Sequence, residues 1–193
     1  MKQRLNLLLI IFAAIGLFST SNAKAQVAKP QVYSVEEIIE KAPTLVGQTV
    51  QVKGRVHHVC AQTGRKLFLA TADEKKIFRI NAGDKIDKFD ADAVDRIVIA
   101  TGIVAEQRVT LEDLNKQEAT AIAAEKADKA KKDKKAAEHC TSEAKANGEN
   151  TSATPLQRVQ TLKAKLKKQI EAGKNNYLSF YSVNNSNEYS IEK

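Results

Sequence analysis

All three histidines and both cysteines fall into two short clusters, His57-His58-Val59-Cys60 and His139-Cys140. Thiols and imidazoles so grouped can close a disulfide, hold a metal ion, or act as nucleophile and base. A Cys60–Cys140 disulfide is the first reading, because two cysteines in an exported chain favour cross-linking. On the loop-entropy model, a bridge closing about eighty residues stabilises by about 4 kcal/mol. The alternative is a metal centre of His58, Cys60, His139 and Cys140, a tetrahedral set suited to Zn²⁺ or Cu(I). Adjacent helical residues point about 100° apart, so His139 and Cys140 both ligate only at a distorted helix end.

The clusters need elements to position them. From Val50, strict alternation sets Val50, Val52, Gly54, Val56, His58 and Cys60 on one strand face. Gln51, Lys53, Arg55, His57 and Val59 take the other. His57 is thereby directed outward, away from Cys60, and His58 stands about 7 Å along the strand from it, so a thiol–imidazole catalytic pair is not expected. Cys-x-x-Cys, a phosphate loop, a nucleophile elbow and a zincin helix are absent from the sequence. We therefore expect no enzyme, no catalytic residue and, on the disulfide reading, no cofactor.

Residues 1–25 read as a secretory signal peptide: a basic start, an apolar run from Leu7 to Phe18, and an Ala23-x-Ala25 cleavage site. Cleavage removes Lys2, Arg4 and Lys24 and no acid, taking the formal charge from +8 to +5. The expected product is periplasmic or extracellular and carries no transmembrane anchor. With 5% aromatic residues and no Trp, the chain suits one small domain and an extended part.

Residues 26–33 are read as a flexible lead. Ser34-Val-Glu-Glu37 fits a capping box for a short helix ended by Pro43. Strands follow over 49–60, 66–70 and 76–81, then an irregular connection to about Val94 and a strand over 95–106. The last is apolar on both faces and should be central.

The long first strand interrupted by Gly54, the meander and the returning strand resemble the OB-fold. Thr49-Val-Gln-Val-Lys-Gly-Arg-Val56 and Val98-Ile-Ala-Thr-Gly-Ile-Val104 carry the resemblance. More narrowly, the chain resembles small exported bacterial OB-like proteins in which a His-Val-Cys stretch ends the first strand. The resemblance implies an α+β chain with a small five-stranded antiparallel barrel over 34–109. It also implies the usual OB ligand, a single-stranded nucleic acid, gripped here by Arg55, Lys66, Phe68, Lys76, Phe78 and Arg79. Export away from cytoplasmic nucleic acid, and the scarcity of other large core residues, favour Phe68 and Phe78 as core instead.

Residues 110–173 read as a charged antiparallel helical hairpin. Thr110 caps its first helix; Thr154, Pro155 and Gln157 open its second, and Gly173 closes it. Leu156, Val159, Leu162, Leu166 and Ile170 form the seam, barely two heptads and too short for an independent coiled coil. The Lys126–Lys135 run is interleaved with acids and reads as a solvated face. Residues 174–193 are expected to return as a short strand or hairpin, with Asn184–Asn187 as a turn. The functional expectation is a non-enzymatic binding module for a protein partner or small ligand.

Overall fold

The computed structural model describes residues 29–130 and 141–192. The signal peptide, most of the lead, His139 and Cys140 lie outside them. Strand β1 (Val32–Ser34) runs directly into helix α1 (Val35–Leu45), whose Ser34/Glu37 capping box is present as expected. Pro43 lies inside α1 and does not end it. That close to the end of the helix, proline forgoes only one backbone hydrogen bond.

Strands β2 (Thr49–Val59), β3 (Lys66–Ala70), β4 (Ile77–Ala82), β5 (Ile97–Thr110) and β6 (Tyr177–Ile191) form a closed barrel in the order β2-β3-β4-β6-β5-β2. β1 adds to β2 in parallel, a pairing absent from the sequence reading of a flexible lead. The expected all-antiparallel barrel is corrected to a mixed one, because β4 and β6 pair in parallel. The chain between them is long enough for the crossover that a parallel pair requires. Five strands, closure and the α+β class are consistent with an OB-like barrel. β5 is central as expected, bonded to β2 and β6.

The barrel interior holds Val50, Val52, Val56, Leu67, Leu69, Phe78 and Ile80, with Val35, Ile38 and Ala42 of α1 packed against them. Gly54 is required by that packing. A Cβ there would lie 2.4 Å from Val35 Cγ2 and 3.3 Å from Leu69 Cβ.

Helices α2 (Leu111–Ala130) and α4 (Pro155–Glu171) depart between β5 and β6. They enclose a second apolar cluster of Leu114, Val159, Leu162 and Leu166 with Val109 and Leu178 of the barrel strands. Lys163 Nζ reaches Glu118 Oε2 at 2.6 Å across the pair. The Thr154/Gln157 capping box and Pro155 open α4, and Gly173 follows it at φ 69°. Ile170, expected in the seam, is 44% exposed. Among the described residues, no helix is long and apolar enough to cross a membrane.

The expected short C-terminal strand is a 15-residue strand that closes the barrel. Asn184–Asn187 forms no hairpin turn. Asn185 adopts φ 52° within an irregularity, and pairing with β5 resumes at Glu188 and Tyr189. Asparagine tolerates the left-handed conformation, so β6 bends without ending.

Candidate functional site

The alternation along β2 breaks at one place. Val56 pairs with Leu69 and Val59 with Leu67, but His58 pairs with Phe68, with a register shift between Val56 and His58. His57 is the extra residue of this bulge, and one extra residue exchanges the faces of everything after it. Val59, read as outward, therefore joins the barrel core. His58 and Cys60 still share a face, but it is the outer surface of the barrel and not the continuation of the Val50–Val56 face.

Phe68 lies on the same outer surface, its ring 5.9 Å from that of His58 and tilted by 33°. It is nevertheless fully buried. A short helix, α3 (Thr141–Ala146), lies over β3 and β4, and Ala146 packs against the cluster of Cys60, Phe68, Ala70 and Ile77. Phe78, the other aromatic of the nucleic-acid reading, belongs to the barrel interior.

Charge holds α3 in place. Phe68 pairs with Arg79, and Lys66 with Asn81, so Lys66 and Arg79 are diagonal neighbours on one face. Glu143 of α3 bridges them: Oε2 accepts from Lys66 Nζ at 2.6 Å and Oε1 from Arg79 Nη1 at 2.7 Å. The Arg79 side chain is only 11% exposed, so this carboxylate neutralises a nearly buried cation. Arg79 Nε is also buried and has no hydrogen-bond acceptor among the described residues. Burial holds the His57 imidazole below its ordinary pKa, and the nearby Lys145 ammonium of α3 depresses it further.

The other predicted basic residues are dispersed. Arg55 pairs with Glu74 and with Asp95, away from α3. Lys76 is exposed beside a cleft of about 690 Å³ between α1 and the β3–β4 turn, whose walls include Glu36, Ile39 and Asp73. Arg65 is committed to structure, its guanidinium donating to the carbonyls of Ile86, Asp87, Ala82 and Gly83. Of the six residues implied by the OB resemblance, only Lys66, Phe68 and Arg79 converge.

Cys60 is 3% exposed, and the Cys60 carbonyl accepts from Gly64 N in the turn that joins β2 to β3. Its predicted partner Cys140, and the ligands His139 and Cys140 of the metal alternative, lie outside the described residues. Among the described residues, no three His, Cys, Asp or Glu side chains are grouped to hold a metal ion. Glu143 was missed in the sequence. Its only signal is a single acid among small residues, Thr141-Ser-Glu-Ala144, directly after Cys140.

Comparison with protein-family models, with curated proteins and with solved structures finds no match for this chain.

Proposed function

We propose that the chain is an exported, non-enzymatic binding module for a protein partner or small ligand. In this reading it is an OB-like barrel carrying α2 and α4 as an antiparallel arm, with Cys60 cross-linked to Cys140. The observation that carries it is the seating of α3 on the cluster containing Cys60. Cys140 precedes α3 by one residue and Glu143 by three, and three residues of chain span about 10 Å at most. Glu143 is fixed to Lys66 and Arg79, and Ala146 of the same short helix packs against the cluster that contains Cys60, which supports the cross-link. The antiparallel arm is supported by the pairing of Thr110, which precedes α2, with Tyr177, which follows α4. Export rests on the Met1–Ala25 sequence.

Intact mass under non-reducing conditions tests the cross-link: the mature chain should be about 2 Da lighter than its reduced form. Two titratable thiols would refute it, and if zinc or copper were retained as well, the metal reading would take its place. The ligand class is tested separately. Salt-sensitive retention of an oligothymidylate that falls on Phe68→Ala would replace the protein or small-molecule target with single-stranded nucleic acid.

A further inference from the structure

The first residues of β6 have a strand on one side only. Residues 177–180 pair with β5 from Thr110 back to Gln107, whereas the described pairing with β4 starts at Ser182. Gln169 of α4 donates from Nε2 to the Tyr177 carbonyl at 2.7 Å, so that carbonyl points away from β5. Successive residues of an antiparallel strand turn their backbone groups to opposite edges, so the N–H and C=O of Ser179 face the same free edge as those of Tyr177. Among the described residues, no group bonds to them there. A cleft of about 400 Å³ opens beside this edge, walled by Lys165 and Gln169 of α4, by Lys174, and by Leu178 and Ser179 of β6. Its charge is unbalanced. Lys163 and Lys167 are paired with Glu118 and Glu171, but Lys165 and Lys174 are exposed and have no acid partner among the described residues.

We infer that this edge is a docking site for an extended acidic segment of a partner protein, which adds to β6 as a further strand and sets its carboxylates against Lys165 and Lys174. The inference rests on the protein-partner reading above and supplies the partner's form and charge. Unpaired backbone groups on a strand edge are a template for another strand, and main-chain hydrogen bonds give such a complex its affinity. The two lysines set its selectivity. A second copy of this chain pairing edge to edge brings the same two cations to the same place, so like charges disfavour self-pairing and favour an acidic partner. Side chains of an added strand alternate in direction, so every second residue meets the lysines and the intervening ones do not.

The test uses the full mature chain and a fluorescein-labelled seven-residue peptide of alternating glutamate and valine. The Ser179 amide should exchange freely in the chain alone, and about tenfold more slowly or better once the peptide saturates it. Methylating the glutamate amide nitrogens and methylating those of valine should have unequal effects, since only one set faces β6. One set should weaken binding about tenfold, read from the dissociation constants, and the other should leave it nearly unchanged. Lys165→Glu/Lys174→Glu changes two exposed side chains and should also weaken binding about tenfold, with a similar loss for a glutamine version of the peptide on the unaltered chain. A Ser179 amide already protected in the chain alone overturns the inference, because another segment or a second copy then covers the edge. Absent binding overturns it, and so do equal effects of the two methylated sets, which would mean attraction by charge without strand pairing. An unchanged affinity in the lysine variant, or equal competition by an oligothymidylate of matched charge, overturns it too. The cross-link is judged independently by mass, so its failure and this one are distinguishable.

Discussion

His58 and Phe68 stack outside the barrel with ring centroids 5.9 Å apart, although strict alternation directs His58 inward. The single extra residue His57 accounts for the reversal. It turns the end of β2 from a core strand into one wall of the α3 seat, with Val59 taking the interior position in its stead.

Two closely packed glycines, Gly54 and Gly102, should differ in how they fail. Gly54→Ala drives a methyl against Val35 Cγ2, a side-chain atom, and should destabilise by about 1–3 kcal/mol in urea unfolding. A second change, Val35→Ala, should recover part of that loss in a double-mutant cycle. Gly102→Ala meets the Asn184 carbonyl oxygen 2.6 Å away as well as Val183 Cγ1. Backbone cannot be trimmed, so Val183→Ala should restore little there. Equal rescue at both sites would refute the distinction.

Fold class, capping boxes and central β5 were legible because they depend on local pattern: Ser34 with Glu37, Thr154 with Gln157, and apolar residues on both faces of 97–104. The candidate site was not, since its geometry depends on two events without a local signature. One is the bulge at His57, where neither glycine nor proline marks the irregularity. The other is the docking of α3, whose helical propensity says nothing about where the helix sits, and whose acid finds its cations 77 and 64 residues away in the chain. The parallel pairing of β4 with β6 is likewise long-range. Asn184–Asn187 misled because turn-forming composition also suits a kinked strand.

Leu166 and Ile170 share one helical stripe but not one fate. Leu166 is fully buried between α2 and α4, and Leu166→Ala should cost about 3 kcal/mol, read as a loss of hydrogen-exchange protection in both helices. Ile170→Ala should stay within about 0.5 kcal/mol, because that side chain is 44% exposed. Comparable losses would show that the arm buries a different face.

Arg65→Lys should loosen the chain between β4 and β5 more than its conservative chemistry suggests. The guanidinium donates to four carbonyls, at Ala82, Gly83, Ile86 and Asp87, and an ammonium has only three donors and no planar fork. Amides near Phe89, whose own N–H bonds to the Gly64 carbonyl, should exchange faster, with those of β2 unchanged. Uniform acceleration across the barrel would contradict this.

Acid should destabilise the fold in two stages. His57 has a folded pKa below its ordinary 6.5, chiefly through burial and then through Lys145, so the unfolded chain binds the proton more readily. Its contribution is complete above pH 6.5 and declines as pH falls through the folded value. Glu106 is held below its ordinary 4.5 first by the Ser179 hydroxyl and then by Arg108, so its contribution is complete above that value and is lost on further acidification. His57→Gln should remove the upper stage of a stability–pH curve and leave the lower, whereas Glu106→Gln should only shrink the lower, to which Glu36, Asp73 and Asp113, also held below their ordinary values, contribute. A curve unaltered by His57→Gln would refute that assignment.

β5 and β6 are hydrogen-bonded neighbours from Thr110 and Tyr177 onward, yet α2, α3 and α4 all intervene between them. A chain emerging from the ribosome amino end first can form β2 to β5 and both long helices while the barrel still lacks a wall. Closure waits for Tyr177–Ile191 to slot between β4 and β5. The interior valines stay accessible to water until that final stave arrives, because pairing across so long a loop is inherently slow.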